Sequence, residues 1–187
     1  MRLQHPVHKA FLHQAIEDYQ AAALLLTYLL TPKHSVHQEH SRFSIAAPFR
    51  GTPFFMLLQM SIEKLAKAAY CKVRGLDGKL PPKDHDIILF LKAVLVRNPN
   101  FLGFEGRHSD TFDFLLKELN PKQPAIAAPY EENLEYPWLD RHGRVKCPAE
   151  HLSLTAKYLN NALNRNIVVY MKEIKELLES FGQLFPS

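Results

Sequence analysis

Glycine and cysteine are both scarce in this chain. Seven glycines in 187 residues suit helices, whose interiors lose roughly 1 kcal/mol at each glycine. No glycine-rich loop of the kind that cradles a phosphate is present. The two cysteines, Cys71 and Cys147, form neither a disulfide framework nor a CxxC motif, so a reducing, cytoplasmic setting is the default. Long apolar runs are missing too. Ala21 to Leu30, AAALLLTYLL, spans ten residues, about half of what a bilayer crossing needs. Glu17 and Asp18 precede it, where a signal peptide would carry positive charge. The run reads as the buried half of a helix, with no membrane role. There is no GxSxG, no paired-carboxylate pattern above the helical background, and no set of acids that would hold Mg²⁺ for nucleotidyl transfer. No cofactor is implied. No stretch alternates convincingly at period two, and there is neither an internal repeat nor a low-complexity tract. The excess of one charge sign is small: 23 basic against 19 acidic residues leave +4, which permits an anionic partner without requiring one.

What remains is a helical pattern in a chain of single-domain length. Apolar residues make up 47%, enough for one full core over residues 1–187. Leu12, Ala15, Tyr19, Ala22, Leu26 and Leu29 step by threes and fours, which places them on one helical stripe between Pro6 and Pro32. TPFFMLLQMSIEKLAKAAYCKVRG, from Thr52 to Gly75, carries the clearest helix signals. Thr52 suits the N-cap, Pro53 the first turn, and Gly75 the position just past the end. Phe55, Leu58, Ile62, Leu65 and Ala69 form its stripe. Met56 and Met60 extend apolar character to a second face, which predicts a central helix and surface left for a second copy.

Three further helices follow. One, with Asp84 or Asp86 as cap, carries Ile87, Ile88, Leu91, Val94 and Leu95 and stops at Asn98-Pro99. A shorter one, capped by Ser109 or Asp110, carries Phe112, Leu115, Leu116 and Leu119 and ends at Asn120-Pro121. The last begins between Pro148 and Ser153 and runs without interruption to about Phe181, with Leu159, Leu163, Ile167, Tyr170, Ile174, Leu177 and Phe181 as its stripe. The expected architecture is all-α: an antiparallel up-and-down bundle of four long helices plus one shorter helix. Long irregular segments lie at about 31–51 and 121–147.

Three elements in order resemble the HEPN family (higher eukaryote and prokaryote nucleotide-binding domain). Gln59, Glu63, Lys64, Lys67 and Ala68 match its QxxxEKxxKA helix. His85 and Asp86 match its His-Asp before the next helix, and Tyr136-Pro137 match part of its Arg-Tyr-Pro ahead of the last helix. Here an acid, Glu135, stands in place of that arginine. The likeness covers roughly residues 10 to 181. It implies a helical bundle that forms homodimers and binds a nucleotide, RNA or a partner protein, in some members a separate nucleotidyltransferase within a toxin–antitoxin module. Other members are metal-independent ribonucleases, and these resemble one another in an arginine followed, after four to six residues, by a histidine. Histidine can move the proton of a 2′-hydroxyl, and arginine can stabilise charge on phosphate.

Arg144 and His151 have that spacing. Arg2 and His8 also fall in its range, as chance alone provides. Gly143 and Pro148 bracket Arg144 in a loop, whereas the family normally sets its arginine on, or at the start of, a helix. The expectation is therefore a non-catalytic binding domain, with a metal-independent ribonuclease using Arg144 and His151 as the alternative and a purely structural interaction module as the third. Candidate ligand contacts are Lys64, Lys67, His85, Tyr136 and Trp138. Each has a plainer reading: Glu63 and Lys67 as a solvated i,i+4 pair, His85 as a cap or packing residue, the two aromatics as pins for a loop. His34, His37 and His40 in HSVHQEH, drawn from a total of ten histidines, could ligate zinc or nickel. No second ligand cluster accompanies them, so an exposed polar loop is the expectation and no metal is assigned.

Overall fold

Gly75 marks where the best-defined helix stops, and the reason is local. Its φ is +59°, a backbone conformation that costs a side-chain-bearing residue about 1–2 kcal/mol. The Leu76 amide donates to the Cys71 carbonyl at 3.0 Å and the Gly75 amide to the Lys72 carbonyl at 3.4 Å. These are the two bonds of a Schellman cap, which satisfies carbonyls the helix end would leave bare. Nothing lies within 4 Å of where a Cβ would sit, so the cost of a side chain is purely conformational. Gly75→Ala is expected to lower the melting temperature by about 2–4 °C, equivalent to about 1 kcal/mol, in a thermal unfolding scan.

The computed structural model describes residues 6–30, 52–76, 89, 91–92, 110–122, 138–139, 141–142, 144–146, 153–159 and 164–185. The helix capped by Gly75 is α2, Thr52–Arg74. It follows α1, Val7–Leu30, whose bounds agree with the proline-delimited stripe. The two pack along their lengths. The Ser61 hydroxyl donates to the Ala15 carbonyl at 2.7 Å in this buried contact. Small residues allow the approach: Ala15 and Ala22 on α1 and Ala68 and Ala69 on α2 are all fully buried.

The expected stripe of α2 is buried, and so is much more of its circumference, including Phe54, Gln59, Ser61, Glu63 and Cys71. Burial on more than one side is what the two-sided pattern predicts. Met56 and Met60 are half-buried.

The C-terminal part departs from the expectation in three places. Residues 110–113 are α-helical, but Phe114–Leu119 is a π-helix. The Asn120-Pro121 step does not end the segment, which continues as the 3₁₀ turn Asn120–Lys122. Proline fits there because a helical turn that is just starting needs no amide from it. A second π-helix, Thr155–Leu159, precedes α3, Asn164–Glu179; residues 160–163, on which an unbroken last helix depended, lie outside the described residues. Finally, α3 does not run on to Phe181. Ser180 takes φ −85° and ψ 2°, and a separate turn, α4, Phe181–Leu184, begins from its carbonyl. The break re-aims the chain so that Phe181, Leu184 and Phe185 are all buried, with the two phenylalanine rings 4.9 Å apart.

All-α is the class of the described residues, apart from a small antiparallel ladder inside the 121–147 segment. There Trp138–Leu139 (β1) pairs with Val145–Lys146 (β2), Trp138 opposite Lys146. Of the helix expected around residues 87–95, residues 89, 91 and 92 are described and helical. Leu91 is buried as its stripe requires, and Leu89 is exposed. The Tyr19 hydroxyl donates to the Met171 carbonyl at 2.9 Å, tying α1 to α3. None of the described helices is long and apolar enough to cross a membrane.

Candidate functional site

The motif helix presents its polar residues inward. At about 100° per residue, Gln59, Glu63 and Lys67 fall on one side of α2, with Glu63 about 200° round from Ser61. That is the side turned away from α1. Lys67 donates to Glu63, as the i,i+4 spacing suggested, but the face is not solvated. The Lys67 and Glu63 side chains are only 14% and 12% exposed, and Gln59 is buried. The plain reading of a solvated pair is therefore corrected: the pair forms under cover. An ion pair removed from water gains Coulomb energy and loses hydration in comparable amounts, so its main effect is to demand that both partners stay.

Burial pushes the Glu63 carboxyl up, but the Lys67 hydrogen bond, the charges of Lys67 and Lys64, and the neighbouring Gln59 amide outweigh it. The net result is a carboxyl held below its ordinary range. The Gln59 amide nitrogen itself has no acceptor in hydrogen-bond geometry among the described residues, and the Asp18 Oδ2 atom on α1 has no donor; the other Asp18 oxygen accepts from Gln14 at 2.9 Å. Lys64 is half-buried. At the open end of the helix Arg74 lies over the Tyr70 ring, 5.9 Å from its centre, a weak cation–π contact.

A second constellation joins the two π-helices, a conformation that is rare and often found at functional sites. The Phe114 ring sits 5.0 Å from that of Tyr158 and stacks on Tyr170 at 4.9 Å. Glu118 accepts from Lys157 at 2.5 Å and lies near enough to the Tyr158 hydroxyl to act on its titration. Burial first, then Glu118, push the Tyr158 phenol well above its usual value, so it is a hydrogen-bond donor and no base. Tyr170 is raised too, by burial and then by Asp110, Glu118, Glu173 and Asp113. Buried Thr111 donates to Glu173 on α3. The arrangement is a clasp between segments distant in sequence. Phe114, Glu118 and Tyr158 do not stand out in the sequence pattern. The one visible signal is a pair of phenylalanines, Phe112 and Phe114, two positions apart in a helix, which bury on different sides.

Arg144 is exposed and lies just before β2, in the connection of the two-stranded ladder. It is not on a helix. Trp138 is in β1 by its backbone. His85, Tyr136, His151 and the three histidines His34, His37 and His40 lie outside the described residues. Of the expected contacts whose side chains are described, Lys64 and Lys67 lie on adjoining sides of α2. Among the described residues no group of histidine, cysteine and acidic side chains could hold a metal ion. The sequence matches no family model, no curated protein and no solved structure.

Proposed function

We propose that this chain is a HEPN-like domain, an antiparallel bundle of four long helices and a shorter one. In this reading it is dimeric and cytoplasmic, and it binds a nucleotide, RNA or a partner protein without cutting RNA. The position of Arg144 supports the non-catalytic reading. It stands exposed beside a two-stranded turn and is not itself on a helix. The sequestered polar side of α2 supports binding through the other candidates. Lys64, His85, Tyr136 and Trp138 are the expected contacts, and Lys67, engaged by Glu63, is the least suited of the set. A separate nucleotidyltransferase chain, in a toxin–antitoxin-type pair, is the partner that the resemblance implies.

Thermal shift with a panel of nucleotides and short single-stranded RNA tests this reading. A ligand at about a hundred times its Kd stabilises by about 2.7 kcal/mol, a rise of roughly 5–10 °C for a chain of this size. Arg144→Ala and His151→Ala are expected to change stability by less than about 0.5 kcal/mol and to leave ligand-induced shifts intact. Cleavage of single-stranded RNA by the wild type in EDTA, lost in both variants while their melting curves hold, would instead establish a ribonuclease. Catalysis by the pair would make each loss about a hundredfold or more.

A further inference from the structure

We propose that the outward face of α3 is where two copies of this chain meet, antiparallel across a two-fold axis. This rests on the dimeric reading above. Much of the surplus apolar surface expected on α2 is covered, with Met56 and Met60 half-buried and Val73 near its end exposed; α3 instead carries two adjacent exposed valines. On α3 the core side is Ile167, Met171, Ile174 and Leu177, all buried. Arg165, Val169, Lys172 and Glu176 lie on the opposite side, within a wedge of about 60° at about 100° per residue. Val168 and Val169 are 48% and 50% exposed, although β-branched residues are poor choices for a solvated helix surface. Their apolar area is gained back only if something covers it. Arg165, Lys172 and Glu176 have no ion-pair partner among the described residues.

The order along the wedge is cation, valine, cation, anion. Set against itself in reverse about a point between Val169 and Lys172, it is complementary. Arg165 meets Glu176 of the second copy, Val169 meets the aliphatic stem of Lys172, and the two-fold axis repeats both pairings. A two-fold interface requires this self-complementarity. Arg165 and Glu176 at the rim set the register, and Val169 of each copy against the Lys172 stem of the other supplies the apolar contact between them, with Val168 flanking it. A nucleic-acid backbone would match the cations but not the valines or Glu176, which is why a second copy is the occupant.

Charge reversal tests the pairing residue by residue. Sedimentation equilibrium of the wild type at micromolar concentration is expected to give a mass near twice 21.5 kDa. Arg165→Glu alone and Glu176→Arg alone each set two like-charged pairs across the axis and are expected to weaken association at least about tenfold. The double variant R165E/E176R re-forms both pairs with signs exchanged, and its association returns to within a few-fold of wild type. Circular dichroism confirms the helix in each variant. A dimer indifferent to both single reversals, or a double variant no better than the singles, overturns this face while leaving dimerisation standing. A wild type of monomer mass overturns the dimeric reading as well.

Discussion

Replacing Phe54 by alanine is expected to cost about 3–5 kcal/mol, a large share of the roughly 5–15 kcal/mol that holds a typical domain folded. Phe54 is fully buried on α2, and its ring packs edge-on against Phe55 with centroids 4.8 Å apart. Truncation removes the transfer energy of a phenyl ring and leaves a cavity between helices locked together by small-residue contacts. Such helices have little freedom to close it. Urea denaturation should show the midpoint falling with an unchanged slope, and the melting temperature dropping by roughly 10 °C. Leu24→Ala is the control. Leu24 is 73% exposed, and its truncation should stay within about 0.5 kcal/mol. Equal losses from the two substitutions would mean that α1 and α2 are not packed as described.

The second large effect belongs to the covered ion pair. Lys67→Met keeps the length and the aliphatic stem but strips Glu63 of its main counter-charge, at a cost of about 3 kcal/mol at neutral pH. The pH dependence carries the signature. The folded-state pKa of Glu63 is depressed. Its ionised form therefore contributes stability that is present above the ordinary glutamate range and is lost as pH falls through the lowered folded value. In Lys67→Met that contribution reverses: burial then dominates, the carboxyl is pushed up, and the variant regains ground relative to wild type on acidification. Denaturation midpoints of both proteins between pH 7 and pH 4 should converge. A difference constant across that range would show that the lysine stabilises by packing its stem and not by its charge.

Both stability effects sit on α2, the element whose course was most legible. Its stripe, its initial proline and its terminal glycine follow from rules that act within one turn of chain, and tertiary contacts had no reason to overrule them. The same holds for α1 between its prolines. The environment of Glu63 and Lys67 was not legible. An i,i+4 ion pair has the same spacing whether water or protein lies over it, and burial is decided by segments remote in sequence. The π-helices were hidden for a different reason. Their wider turn shifts the spacing of inward residues away from three and four, so Phe114 falls off the stripe formed by Phe112, Leu115 and Leu119. Two-residue strands such as those at Trp138 and Val145 are too short to alternate at all. The break at Ser180 carries no proline or glycine at its own position to announce it. For the candidate site, the motif residues of α2 could be named from spacing, while the Glu118–Tyr158 clasp could not, since nothing in either segment refers to the other.

The two π-helices also bear on how the chain can vary in length. A π-turn holds one residue more than the α-turn it replaces, so losing one residue there leaves a regular helix rather than a broken one. In α2 a deletion has no such outlet. Everything beyond it would rotate by about 100°, turning Glu63 or the Gly75 cap to the wrong side. Within Phe114–Leu119 the consequence is local: the helix tightens, Glu118 swings off Tyr158, and the stacked rings part. Homologous chains one residue shorter should therefore place their gaps in these two segments, and where one segment has lost its residue the aromatic partner in the other should be free to change.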